Sequence, residues 1–373
     1  MERKRAFIIL SKDSFLLSHR KEIVVEAVKR GLDVTVVAKD TGCRARIEAL
    51  GAGFVDFPVN PVGMNPIQEL KSFWFLYRLL KKHKPDVVHN VGLKPMLWGG
   101  LAAKLVKIPR VINAVSGLGI MFSQTPISLK ARGILSVLRF AHQRQNVSVI
   151  FQNHDDEEIF LNYNVVKPEQ VVYIKGSGVD LETFGYTPET VEGKLKLIFV
   201  ARMTKEKGVL DLIEAAKTLK NKYEEKIEFW LCGGLSDNPL AVQEAELTSL
   251  CDGRYIQWLG HRSDILHLLQ KSNIVVFPSY YREGVPKSLI EACAIGRPIV
   301  TTDSVGCRDC VEDQVSGFLV PIKTPQAIAD RLELLINDPA MRESMGKAAR
   351  KMAERDFSIE HVVNTHLNLY TQN

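Results

Sequence analysis

Cysteine is sparse in this chain, six among 373 residues and scattered along it. That spacing argues against a disulfide framework and makes a reducing cytoplasm the expected compartment. Only Cys307 and Cys310 form a CxxC, and without a second pair or a neighbouring His it does not read as a metal site. Long apolar runs are also missing. The stretch Val91 to Val106 is broken by Lys94 and Lys104, whereas a spanning helix needs roughly 18 or more apolar residues in a row. Near the N-terminus, Ala6-Phe7-Ile8-Ile9-Leu10 stops at Ser11-Lys12-Asp13, too short for the apolar core of a signal peptide. The expectation is a protein that neither crosses a membrane nor leaves the cell by that route. No block of five Lys or Arg occurs and no nucleic-acid-binding motif is recognisable, so nucleic acid is not an expected partner. No Asp-x-Asp pair occurs either, and nothing demands a divalent ion or other cofactor.

What is present is ordinary globular material, 46% hydrophobic and 25% charged, in a length that suggests two domains at about 150 residues each. The net charge of +6 is unevenly spread. Residues 1–180 carry 26 Lys+Arg against 16 Asp+Glu, whereas 181–373 carry 23 against 27. A basic first half suits a solvated surface, an anionic membrane surface or a phosphorylated substrate.

Strand and helix patterns alternate through both halves. Arg5 to Leu10, Asp33 to Ala38, Asp86 to His89, Arg110 to Asn113 and Val147 to Phe151 are unalternated Val/Ile-rich runs of the kind found in buried parallel strands, with helical stretches between. After a linking segment at 175–190 the cycle restarts with Leu195 to Ala201, Ile227 to Leu231, Ile274 to Pro278 and Pro298 to Thr302. The predicted architecture is α/β, with doubly wound Rossmann-like domains at 1–178 and 185–356. A final helix, within 357–373, is expected to pack back on the first domain. Such sheets bind ligands at the carboxyl ends of their strands, so two of them facing each other would line a cleft with strand-end loops.

Two loops of the second half stand out. Ala201-Arg202-Met203-Thr204-Lys205-Glu206-Lys207-Gly208 places three cations between a strand and a helix start, where the helix dipole disfavours positive charge unless an anion is bound. Exposed solubilising charges are the bland alternative. The second loop runs from Pro278 to Gly296 and holds Glu283 and Glu291, which Gly284 and Pro286 keep off a single helix. Ser288-x-x-Glu291 also spells a capping box. Together the two carboxylates, next to a glycine turn, suggest recognition of vicinal hydroxyls.

Arg202 with Lys207, the spacing of Glu283 and Glu291, and the run from Thr302 to Pro321 resemble glycosyltransferase family 4, retaining nucleotide-sugar-dependent enzymes of the GT-B fold. The resemblance implies that Arg202 and Lys207 bind the donor diphosphate. It also implies that Glu291 holds the nucleotide ribose and that Glu283 meets the transferred sugar and steadies an oxocarbenium-like transition state. Backbone groups of Gly284, Val285, Pro286, Lys287 and Ser288 would complete the phosphate cradle, with Arg262 and Ser263 nearby. Such a site stabilises a leaving diphosphate without metal.

The first half matches less tightly. Ser116, before Gly117, occupies a position often held by His, and Ser11 to Arg20 lacks a Gly-Gly found in many relatives. The acceptor-side candidates are Ser14, His19, Arg20, His89, Ser116 and Gly117. The runs Gly63-Met64-Asn65-Pro66, His89 to Pro95 and Gly260 to Ile265 look most like bacterial enzymes that extend lipid-linked oligosaccharides or surface polysaccharides. The resemblance implies a UDP-sugar donor, a polyprenyl-diphosphate-linked saccharide acceptor, and a cytoplasmic protein peripheral to the inner face of the cell membrane. The helix Ile67 to Lys84, with Phe73, Trp74, Tyr77 and several basic residues, could lie at that interface. A nucleotide-sugar-binding protein without turnover and a UDP-sugar epimerase are the competing readings. A glycosidase built on Glu283 and Glu291 would leave the basic site without a purpose.

Overall fold

The Val- and Ile-rich runs become strands buried on both faces. A computed structural model describes residues 3–61, 63, 65–122, 126–236 and 240–372. In it the chain divides into two units, Met1–Ser177 with Ile359–Asn373, and Gly178–Ser358. Met64, part of one of the motif runs above, lies outside the described residues.

In the first unit the strands are β1 (Arg5–Ile9), β2 (Asp33–Ala38), β3 (Gly53–Asp56), β4 (Val87–Val91), β5 (Arg110–Ala114), β6 (Val147–Phe151) and β7 (Val171–Tyr173). They pair in parallel in the order β3-β2-β1-β4-β5-β6-β7. Its helices are α1 (Asp13–His19), α2 (Lys21–Lys29), α3 (Arg44–Glu48), α4 (Pro66–His83), α5 (Leu93–Val106), α6 (Leu129–His142) and α7 (His154–Asn162). One sheet face packs Phe7, Ile9, Val88 and Val111 with Leu76 and Leu80 of α4. The other packs Ile8, Val36 and Ile112 with Ile23 and Val24 of α2 and with residues of the C-terminal helix.

The second unit has β8 (Leu195–Val200), β9 (Ile227–Cys232), β10 (Ile256–Gly260), β11 (Ile274–Phe277), β12 (Ile299–Thr302) and β13 (Gly317–Val320). Their order is β10-β9-β8-β11-β12-β13, again parallel. Helices α8 (Val209–Tyr223), α9 (Glu244–Leu250), α10 (Ile265–Lys271), α11 (Lys287–Ile295), α12 (Pro325–Asn337) and α13 (Pro339–Asp356) alternate with them. The last helix, α14 (Ile359–Thr371), belongs to the first unit, where it packs on α2 and β5.

In each sheet the winding reverses beside the first strand of the unit, between β1 and β4 and between β8 and β11. Connections leaving the two strands at such a point diverge, which opens a crevice at their carboxyl ends. Periodicity misses β3, β10 and β13, because four- or five-residue strands at or near sheet edges carry too few apolar positions to register.

Local chemistry fixes several helix ends. Asn65 Oδ1 accepts from the N–H groups of Ile67 and Gln68 at 3.0 and 3.3 Å, with Pro66 at the first helical position of α4. This meets two of the helix's unpaired donors and uses proline where it lacks a donor anyway. The expected capping box at Ser288 and Glu291 is not formed. Pro286 is the residue before α11, no side chain caps it, and Ser288 lies inside the first turn. The loop ends at Pro286, before the serine, so the helix is already under way at Ser288 and Glu291 sits on the second turn rather than at the third helical position.

Candidate active site

The crevice of the second unit is built from the loop after β8 and the loop after β11. Gly208 has φ +77°, and a Cβ on it would lie 2.0 Å from the carbonyl oxygen of Pro278. Only glycine lets the start of α8 approach the end of β11 this closely. The approach is locked by backbone bonds: the Glu206 carbonyl oxygen accepts from the N–H groups of Tyr280 and Tyr281 at 3.0 and 3.2 Å. Ser279 Oγ lies 3.1 Å from that carbonyl and 3.1 Å from Glu283 Oε1, one hydroxyl hydrogen serving either acceptor.

This frame brings Lys207 and Glu283 together as a salt bridge, each side chain 13% exposed. The Lys207 ammonium also lies 5.5 and 5.6 Å from the ring centres of Phe277 and Tyr281. Arg202 is exposed and close enough to act on the Tyr281 hydroxyl. Burial and the Glu283 charge push that hydroxyl's pKa up, and Arg202 opposes them. A mostly buried ion pair of this kind gains little net stability, because desolvation offsets attraction. It does hold a cation and a carboxylate ready at one point.

Glu291 pairs with a different cation. On α11 it faces Lys287 at 3.8 Å and is 13% exposed. Burial raises its pKa and Lys287 pulls the other way. A Cβ on Gly306 would fall 1.5 Å from the Gly284 carbonyl oxygen, so the 302–306 loop presses against the glycine turn and fixes where Gly284 and Val285 sit. Arg262 is an exposed residue engaged with Asp264 at 2.5 and 2.8 Å, and Ser263 beside it is likewise exposed. Sequence patterns missed Ser279 and the Glu206 carbonyl, since a backbone acceptor leaves no compositional trace.

In the first unit, the loops after β1 and β4 enclose a pocket of about 210 Å³ lined by Ser11, Lys12, Phe15, Pro61, Val91, Gly92 and Ser116. Ser116 is therefore at this crevice, with Gly117 beside it. Ser14 lies exposed on α1. His19, half-buried, pairs through Nδ1 with Ser18 Oγ at 2.6 Å and stacks on Phe15 at 4.2 Å. Arg20 and His89 need correction as acceptor candidates, because both are interior. They are 2% and 1% exposed, His89 because it sits mid-strand in β4 under the covering α14. Asp13 braces this crevice, its carboxylate accepting from the N–H groups of Ser14, Thr41 and Cys43 at 2.6, 2.8 and 2.9 Å and from the Thr41 hydroxyl.

Helix α4 buries Leu76 and Leu80, with Phe73 and Tyr77 packed against the core. Its outer side leaves Ile67, Leu70 and Trp74 exposed. With Lys71, Arg78 and Lys82 they line an open groove of about 690 Å³. Among the described residues no helix is long and apolar enough to cross a membrane, and no group of three or more His, Cys, Asp or Glu is placed to hold a metal ion.

Comparison with known proteins agrees with these features. Residues 187–352 match the family described as glycosyl transferases group 1, and residues 8–153 match the glycosyl transferase 4-like family. The chain is 30% identical to the N,N'-diacetylbacillosaminyl-diphospho-undecaprenol alpha-1,3-N-acetylgalactosaminyltransferase of Campylobacter jejuni, over 97% of both chains. It is 27% identical to the UDP-Gal:alpha-D-GlcNAc-diphosphoundecaprenol alpha-1,3-galactosyltransferase of Escherichia coli, over 91% of this chain and 88% of that one. Among solved structures, Anabaena HepE in complex with UDP and glucose superposes with a TM-score of 0.78 over the whole of both chains at 17% identity.

Proposed function

This chain belongs to the glycosyltransferases, with a 4-like first half and a group 1 second half on the GT-B fold. From that premise we propose that it moves a hexose or N-acetylhexosamine from a UDP-sugar to a hydroxyl of a polyprenyl-diphosphate-linked saccharide, in surface polysaccharide or glycan biosynthesis. The transfer is retaining and needs no metal. The observation that carries this reading is the Lys207–Glu283 pair at the crevice between β8 and β11.

The donor diphosphate competes with Glu283 for Lys207. With Arg202 and Lys207 on the phosphates, Glu283 is released to accept a hydrogen bond from the transferred sugar, and Glu291 does the same for the ribose hydroxyls. Backbone N–H groups of Gly284, Val285, Lys287 and Ser288, leading into α11, add a helix N-terminus to the cradle. Arg262 and Ser263, at the end of β10, are assigned to the outer edge of the donor site.

In the reaction the anomeric carbon–oxygen bond to the diphosphate breaks. The acceptor hydroxyl oxygen bonds to the same face, and its proton passes to a departing phosphate oxygen. Negative charge grows on the diphosphate and positive charge on the sugar ring, so fixed cations beside one and a fixed carboxylate beside the other both bind the transition state more tightly than the ground state. Retention is supported by the printed name of the E. coli relative, which pairs UDP-Gal, an α-linked donor, with an alpha product.

On the acceptor side, Ser116, Gly117 and the Ser11–His19 loop form the polar wall, and the apolar and basic face of α4 rests on an anionic cytoplasmic leaflet. The test is a panel of UDP-sugars with an undecaprenyl-diphosphate-linked saccharide in the presence of EDTA. The expected result is UDP release matched by one sugar's mass on the lipid. Donor binding or epimerised donor without any mass gain on lipid would overturn the reading, and loss of turnover in EDTA would overturn metal independence.

A further inference from the structure

Among the described residues Arg20, Arg110, Arg297 and Arg342 are buried, and of these Arg20 alone keeps a buried guanidinium nitrogen without a partner. Arg297, 1% exposed, donates to the carbonyl oxygens of Ser272, Thr187 and Gln270 at 2.7, 2.6 and 2.8 Å, with the charge of Glu189 supporting it. Arg20, 2% exposed, lies between α1 and α2 and donates from Nη1 to the His19 carbonyl oxygen at 2.9 Å. Its Nε is buried and has no partner among the described residues. Among the described residues no Asp or Glu offsets its charge. The titratable group that acts on it is Tyr370, whose own hydroxyl burial pushes far above the ordinary range, so it stays neutral.

Two further nitrogens are in the same condition. His89 on β4 bonds through Nδ1 to Tyr370 Oη at 2.7 Å, and His366 on α14 through Nδ1 to the Val362 carbonyl oxygen at 2.7 Å. In both rings Nε2 is buried without a partner among the described residues. The ring centres are 5.3 Å apart, and the charge of Arg20 acts on both. Burial first, and then that charge, holds His366 neutral with a pKa of about 3.

An isolated buried guanidinium costs several kcal/mol unless an opposite charge accompanies it, and water supplies hydrogen bonds but no charge. We propose that Arg20, His89, His366 and Tyr370 enclose a site for a small monovalent anion, of halide or formate size, which neutralises Arg20 and ties α14 to the α1–α2 junction. Because the Nδ1 hydrogen of His366 is committed to Val362, its Nε2 can donate only after the ring takes up a proton. The neutral His89 ring supplies the second donor instead, its Nδ1 accepting the Tyr370 hydroxyl and its Nε2 carrying the hydrogen, so the anion binds without proton uptake and its binding does not change between pH 6 and pH 8. The titratable groups facing the site are these four.

The test uses the full chain and bromide as probe. At constant ionic strength, replacing gluconate by bromide should raise the melting midpoint. Each tenfold rise in bromide above its dissociation constant adds roughly 2–4 °C, equally at pH 6 and pH 8. Arg20→Met should abolish the gain, and crystals grown in bromide should show an anomalous peak beside Arg20 Nε. Should the variant fail to fold, the wild-type titration and the crystal still decide. No gain, a gain confined to pH 6, an equal gain in the variant, or a crystal without the peak, as expected if water alone occupies the site, would overturn the proposal. None of these outcomes depends on the transferase reading.

Discussion

The two units share one winding and differ in what they place at the reversal of strand order. In the second, the loops after β8 and β11 present a lysine, two glutamates and an arginine. In the first, a pocket of about 210 Å³ presents one cation, Lys12, among serine, glycine and apolar groups, and the Arg20 charge is withdrawn into the interior. The same topology supplies a crevice in both. What each crevice can bind is set by a few side chains at strand ends.

The sharpest way to break that contrast is to remove charge from one crevice and polarity from the other. Lys207→Ala and Glu283→Gln are each expected to lower kcat by about 10²–10³, the usual cost of losing one preorganised electrostatic group, whereas Ser116→Ala should change it by less than about tenfold. Steady-state rates with saturating donor check this. Similar losses at all three positions would show that the two crevices are not specialised as described.

A smaller effect concerns how each crevice is braced. In the second unit the brace is mostly backbone, through the Glu206 carbonyl; in the first it is the Asp13 carboxylate. Burial by itself would raise the Asp13 pKa, but hydrogen bonds from Thr41, Cys43 and Ser14 outweigh it and hold the carboxyl below its ordinary value near 3.8. A carboxyl depressed in the folded state stabilises above its unfolded pKa. That contribution is lost as pH falls through the folded value, below about 4. Asp13→Ala should cost roughly 1–3 kcal/mol at pH 7, seen in denaturant melts, with the gap to wild type closing in acid. A gap that persisted at pH 2 would point to packing rather than charge.

The smallest expected effect separates the units by membrane affinity. Trp74→Ser on α4 should weaken partition to anionic vesicles by roughly tenfold, near 1.4 kcal/mol for a half-buried ring, and leave donor binding unchanged. Equal partition of variant and wild type would remove α4 as the contact.

Much of this was legible in the residue order. The alternation of Val-rich runs with helical stretches announced two doubly wound domains, and cations before α8 with acids around Gly284 marked the two loops that meet at the second crevice. Other features were not legible. Ser288-x-x-Glu291 reads as a cap, but the loop geometry set by Gly284 and Pro286 starts the helix at Lys287. His19, Arg20 and His89 are equally polar letters in the sequence, yet one is half-buried beside Phe15 and two are interior. Burial depends on which helix covers the strand, and α14 covers β4 from more than 260 residues away.

Sequence alone determined the fold class and the chemical kinds of group in the donor loops, because hydrophobic period and charge are local properties of the chain. Tertiary structure decided that β11 lies beside β8, which puts Glu283 on Lys207, and that the C-terminal helix seals Arg20 with two imidazoles. Strand order and helix return are long-range choices, and no local pattern encodes them.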